Sequence, residues 1–335
     1  MATILLHEPL PTAWFEAFAA YLQEVQSEDL PLTLVQAENA EEKHATLREA
    51  EVILSGLAGK PAPVGRQELQ SAQSLRLVVR VGSRSAGIDL EAAREAGVAV
   101  CLVPSPYHVA CAEHTIALIL AVAKKLVPAH RKASARTPRP PASSPYAPNW
   151  AGLDGIGLVA GKTLGLLGMG DVAIEVARRA RPLGLRILYH DAERLDEEEE
   201  QALGVEYREL DALLAEADIL SLHLALTPQT ENIINAERIA AMKDGANLIN
   251  TARGGLVDEA ALASAIAEGH LSGAGIDAWA TEPPPRDNPL LRLDAVVATP
   301  HVASGDLPAT TLFDAVLAPI LAALRGEPIP GLLSD

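Results

Sequence analysis

The chain has 335 residues, 49% of them hydrophobic, with a formal net charge of −17 at pH 7. That size and apolar share provide two domains with ample core and exclude a disordered chain. The acidic balance argues against nucleic acid as a main partner.

The first residues, MATILLHEPLP, lack the basic start and small-residue cleavage site of a signal peptide. They read as a first strand. Apolar runs at 4–6, 32–35, 52–54, 75–81 and 98–103 alternate with helical patterns at 14–25, 40–48 and 90–96. The alternation predicts a parallel sheet with helices on both faces. His7-Glu8-Pro9 stands where a phosphate-binding turn would carry glycines, so this unit is not expected to hold a nucleotide.

Pro104 and Pro106 break the pattern, and one long helix is expected over 109–129. Lys124 and Lys125 interrupt its greasiest stretch, 116–127, which therefore reads as a packed helix and not a membrane span. A basic patch (Lys124, His130, Arg131, Lys132, Arg136, Arg139) adjoins the segment 137–150, which holds five prolines. The patch reads as a solvated loop and the segment as an irregular arm. Cys101 and Cys111 make no disulfide framework, and the nine histidines show no metal-type cluster. Buried thiols in a reducing cytoplasm and no metal are the expectation.

Residues 161–191 form a strand–glycine turn–helix–strand unit. An apolar run at 164–167 ends in Gly168-Met169-Gly170. A helical pattern follows, with Val172, Ile174, Val176 and Ala177 inward and Glu175, Arg178, Arg179 and Arg181 outward. A second strand over 185–189 closes on Asp191. Gly168 permits a tight turn, Gly170 lets a pyrophosphate approach the backbone, and the helix N-terminus favours that anion. Ala173 replaces the usual third glycine. Asp191 would accept hydrogen bonds from the ribose hydroxyls and repel a 2′-phosphate, which predicts NAD over NADP.

Strands are then expected at 219–224, 246–249, 274–276 and 296–298, with the acid run Asp196 to Glu200 as a solvated face. Pro300 marks a second break, and the tail over 307–324 reads as a helix returning to the first domain. Two crossings would make a hinge with a cleft between the domains. Polar residues gather at the expected strand ends: Asn250 to Gly255, Asp277 with Glu282 beyond, and Thr299-Pro300-His301. Arg253, Glu282 and His301 suit hydride transfer to a keto acid. A guanidinium polarises a carbonyl or grips a carboxylate, an imidazole moves the proton, and the acid orients the ring and supports its charged form. Each residue alone has a plainer reading, as a surface ion pair, a satisfied core histidine or a turn. Their joint placement behind a nucleotide unit points to chemistry.

The phrases GKTLGLLGMGDVA, LHLALTPQTENIIN, NLINTARGGLVDEAAL, GAGIDAWATEPP and VVATPHVAS, with AEHTIALIL upstream, resemble the D-isomer-specific 2-hydroxyacid dehydrogenases. The first domain matches more loosely, at LRLVVRVGSRSAGIDLEAAREAGVAV. The resemblance implies an α/β fold of two doubly wound parallel-sheet domains with a cleft between. Residues 1–103 plus 303–335 would form a flavodoxin-like substrate domain, and 104–302 a Rossmann NAD-binding domain. It implies Arg253 as substrate-binding catalytic arginine, His301 as proton donor or acceptor and Glu282 as its paired acid. Gly168, Gly170, Asp171, Val172, Asp191, Thr227, Thr251, Ala252 and Asp277 would contact NAD, with Asp277 on the nicotinamide carboxamide. The substrate carboxylate would sit on the loop of Gly82, Ser83 and Arg84, where the family usually carries glycine at the position of Arg84. That arginine would narrow the pocket, recruit a second anionic group, or point to solvent with only its backbone in use.

The expected function is an NAD-dependent oxidoreductase interconverting a small 2-oxo acid and its D-2-hydroxy acid, as a homodimer. The alternative is an NADH-sensing corepressor-like binding protein with weak turnover.

Overall fold

The computed structural model describes residues 2–27, 29–57, 61–135, 149 and 151–333. The expected arm at 137–150 lies outside them apart from Asn149, as do Arg136 and Arg139 of the basic patch. The chain divides into two compact units, Met1–Tyr107 with Leu307–Asp335, and His108–Asp306.

The first unit contains β1 (Ala2–Leu6), β2 (Leu32–Gln36), β3 (Val52–Ser55), β4 (Leu77–Val81) and β5 (Ala99–Val103). They pair in parallel in the order β2-β1-β3-β4-β5, the flavodoxin-like doubly wound arrangement. Every residue of β3 and β4 is buried. Helices cover both faces, so these strands read as continuous apolar runs instead of alternating ones. The returning helix Ala309–Arg325 belongs to this unit. Its Phe313 stacks on Phe18 at 4.6 Å and meets Trp14 edge-on at 5.9 Å. Burial of such a ring is worth about 1.5–3 kcal/mol. Gly326, at φ 72°, ends the helix in the left-handed conformation that glycine adopts without penalty.

An ionic cluster fills the carboxyl end of β1. Glu8 accepts from the Ser55 hydroxyl and from the Gly56 and Ala62 N–H groups at 2.7–2.8 Å. His7, its side chain 1% exposed, lies 2.9 Å from Glu68 through Nε2 and 3.4 Å from Glu8 through Nδ1. A carboxylate therefore occupies the place where a nucleotide-binding turn would stand. Burial alone would lower His7, but its bonds to Glu68 and Glu8 outweigh that and raise it above its ordinary 6.5. Burial alone would likewise raise the acids, yet His7 and the backbone donors hold Glu8 and Glu68 at about 2. The acids contribute stability above their ordinary 4.5 and lose it as pH falls through about 2. His7 contributes below 6.5 and loses its share as pH rises through its raised value. Denaturant unfolding should therefore give a plateau between about 4.5 and 6.5 and a decline on either side. His7→Gln should flatten the alkaline decline, and an unchanged alkaline limb would show the account to be wrong.

The second unit contains β6 (Thr163–Leu167), β7 (Arg186–His190), β8 (Val205–Tyr207), β9 (Ile219–Leu222), β10 (Asn247–Asn250), β11 (Gly273–Ile276) and β12 (Val296–Ala298). All pair in parallel in the order β12-β11-β10-β9-β6-β7-β8. The chain reverses direction across the sheet between β6 and β9, and ligands collect in the crevice at such a point. Both units are thus doubly wound parallel α/β sheets. β8 was not expected: it has three residues, Val-Glu-Tyr, at the sheet edge, too short to show a period.

Two helices, Pro106–Ala123 and Leu126–Ser134, replace the single helix expected over 109–129. Lys125 between them is left-handed at φ 50°. Pro128 explains the break, since in a continuous helix it would lack its N–H and crowd the Lys124 carbonyl; restarting the helix places it in a first turn. The first helix is long and apolar enough to cross a membrane, but it buries Ala112, Leu118, Ile119 and Val122 in the core beside β6. Glu175, expected to face outward, is 4% exposed and paired with Arg178 and Arg179 one turn on.

Candidate active site

The glycine turn leaves β6 at the switch point. Gly168 has φ 95°, and a Cβ there would lie 2.7 Å from the His223 carbonyl oxygen, so only glycine fits. Gly170 caps the helix Asp171–Ala180 without a side-chain bond, and nothing lies within 4 Å of a Cβ built on it. A pyrophosphate therefore has room to approach the backbone at Gly170, beside the helix start at Asp171 and Val172, whose dipole end favours an anion. Ala173 is fully buried in the core that holds Leu164 and Leu166 of β6. The Asp171 carboxylate lies 3.7 Å from His108 Nδ1.

Asp191 stands at the tip of β7. One oxygen accepts from the Met169 N–H at 2.6 Å and the other from the Glu193 N–H at 3.2 Å. The acid is thus tied to the glycine turn, and each oxygen keeps a lone pair for a ribose hydroxyl. Thr227, after β9, is exposed and hydrogen-bonded with Thr230.

Arg253, Glu282 and His301 come together on one open pocket of about 590 Å³, lined also by Leu226, Glu231 and Trp279. Asn250, at the end of β10 and 1% exposed, shapes the turn carrying Arg253. Its amide donates to the Arg253 carbonyl, and its oxygen accepts from the Ala252 N–H. A Cβ on Gly254 would sit 1.8 Å from the Trp279 carbonyl carbon, so glycine lets this turn press against the loop bearing Glu282. Glu259 braces that loop, accepting from the Ala280 N–H and the Asn288 amide at 2.7 Å each.

His301 Nδ1 lies 2.8 Å from each Glu282 oxygen, which leaves Nε2 for a substrate. The Trp279 N–H at 3.0 Å and then His301 hold the Glu282 carboxyl below its usual range. His301 itself is left-handed at φ 54°. A non-glycine residue in that region stores strain that its surroundings must hold, as recurs at active sites.

Asp277 supplies that hold. It is fully buried at the end of β11, and its oxygens accept from the Thr299 hydroxyl (2.6 Å) and the Val302 and Ala303 N–H groups (3.0 and 2.9 Å). Most of its accepting capacity is therefore spent on the loop carrying His301. Thr251 is buried and pairs with the Thr115 hydroxyl at 2.8 Å. Ala252 accepts from Arg253 Nη1 at 2.6 Å. Sequence reasoning missed Asn250, Glu259, Trp279, Thr299 and His114. Asn250 and Thr299 stood at strand ends singled out for chemistry but were given no role there; the others act through contacts distant along the chain.

Gly82, Ser83 and Arg84 follow β4 in the first unit. Gly82, at φ 147°, donates its N–H to the Val103 carbonyl at 2.8 Å; Ser83 is buried and Arg84 half-buried. Below this loop, the buried Arg80 donates to the carbonyls of Ala62 at 3.2 Å and Ala86 at 3.4 Å.

Residues 116–303 match the family model of the D-isomer specific 2-hydroxyacid dehydrogenase, NAD binding domain. The chain is 36% identical to a glyoxylate reductase of Korarchaeum cryptofilum over 82% of its own length and 80% of that protein. It is 38% identical to a D-3-phosphoglycerate dehydrogenase of Archaeoglobus fulgidus over 72% of its own length, but spans only 44% of that longer protein. Among solved structures, a glyoxylate reductase from Paecilomyes thermophila is similar with a TM-score of 0.55 and 29% identity, covering 99% of this chain and 98% of that one.

Proposed function

The chain belongs to the D-isomer specific 2-hydroxyacid dehydrogenase family, and from that premise we propose that it interconverts a small 2-oxo acid and its D-2-hydroxy acid with a nicotinamide dinucleotide. The observation that carries the reading is the meeting of Arg253, Glu282 and His301 on one pocket of the sheet that begins with the glycine turn. When bound, the nicotinamide supplies or accepts the hydride at the substrate's C2. Arg253 grips and polarises the oxo acid through paired planar donors. His301 Nε2 gives its proton to the carbonyl oxygen as charge develops there, and takes it back in oxidation. Glu282 keeps the ring aimed and balances the imidazolium charge. Purified protein should oxidise NADH with at least one of glyoxylate, hydroxypyruvate, pyruvate or a longer oxo acid; silence across that panel would leave the corepressor-like alternative.

We also propose NAD over NADP, supported by Asp191 at the end of β7. In side-by-side titrations NADH should bind more tightly than NADPH, and the reverse order would overturn the preference. The loop of Gly82, Ser83 and Arg84 is proposed to take the substrate carboxylate. We further propose a cytoplasmic homodimer that needs neither nucleic acid nor a membrane. Light scattering at micromolar concentration should give about 70 kDa, twice the chain mass of 35.2 kDa; a monomer would exclude the dimer.

A further inference from the structure

Thr299 stands where the two halves of the site meet. Its carbonyl accepts from the Trp279 ring N–H at 2.9 Å, and the Trp279 backbone N–H holds Glu282. Its hydroxyl lies 2.6 Å from Asp277 Oδ1 and 3.0 Å from His114 Nε2. That hydroxyl has one proton, and Asp277 receives it. His114 Nε2 must then be the donor to Thr299. Asp277 in turn receives the N–H groups of the two residues after His301, and the Asp277 carbonyl accepts the His301 N–H at 2.9 Å. A directed chain thus runs from the helix Pro106–Ala123 through Thr299 and Asp277 to the strained backbone of His301. The same helix anchors the end of β10 through Thr115 and Thr251.

Resting on the proposed function, we propose that His114 is a positioning residue. Its Nε2–H, relayed through the Thr299 hydroxyl to Asp277, fixes residues 299–303 and so aims the His301 ring at both Glu282 and the substrate. His114 touches no reacting atom in this role. Its effect is the orientation of the group that moves the proton, to which rates are sensitive on the scale of an ångström.

The test combines histidine-ring ¹H–¹⁵N spectra of the full chain with steady-state kinetics. His114 should carry its proton on Nε2. Thr299→Val removes the hydroxyl at nearly constant shape; it should shift the His301 ring signals, alter the pH profile of kcat and lower kcat by about 10- to 100-fold, with KM for NADH unchanged. Thr299→Ser should restore all three. If Thr299→Val does not fold, His114→Gln, whose amide reaches the Nε2 position, should keep the wild-type His301 signals where His114→Leu loses them. A neutral His114 protonated on Nδ1 alone would overturn the proposal. So would Thr299→Val or His114→Leu with unchanged His301 signals and pH profile. A wild-type protein inactive on every oxo acid would sink the proposed function, while the ring spectra would still decide this inference.

Discussion

His301→Ala is expected to lower turnover by about 10²- to 10⁴-fold, the usual worth of a positioned general acid or base. NADH binding should persist, because the glycine turn and Asp191 stand on β6 and β7 while His301 follows β12. The wild-type ring is held through Nδ1 at 2.8 Å from Glu282, with Nε2 left for the substrate. Alanine removes both the proton and the group that Glu282 orients. It also relieves nothing in the backbone, since alanine adopts the left-handed conformation at φ 54° no more readily than histidine. The expected signature is a fall in kcat at an unchanged fluorescence titration with NADH. Full activity across the oxo-acid panel would remove His301 from the proton's path.

Arg253→Lys is the second large effect. The charge is kept, but the planar fork that matches a carboxylate or a polarised carbonyl is lost. Charge-assisted bonds of this kind are worth about 1.5–3 kcal/mol each, so kcat/KM should fall by about 10- to 100-fold. The turn itself should survive, because Asn250 and Gly254 set its course and not the arginine head. An unchanged kcat/KM would remove Arg253 from the substrate's contacts.

How far these residues could be read in advance depends on the distance over which their roles are encoded. Gly168, Gly170 and Asp191 lie within one strand–helix–strand unit, and each is fixed by local geometry. Arg253 and His301 directly follow strands whose apolar runs are plain, so their place at a sheet edge was legible. The link between His114 and Thr299 was not, because 185 residues separate them and only the packing of the helix Pro106–Ala123 against the sheet brings them together. Asp277 shows the same limit: the strand end is visible in the sequence, but its bonds to Val302 and Ala303 are tertiary. Glu175 was misplaced because a lone carboxylate on a helix looks solvated until Arg178 and Arg179 fold over it. The single helix expected over 109–129 failed at Lys125 because apolar content outweighed Pro128, whose missing N–H decides the backbone there.

Direct hydride delivery to C2 of an oxo acid, on one face only, is the claim on which these assignments converge. It is tested by turning over NADH carrying deuterium at both C4 positions with the best oxo acid of the panel, followed by chiral separation and mass analysis of the product. The D-2-hydroxy acid carrying one deuterium at C2 is the predicted result; an L or racemic product, or label lost to water, would contradict it.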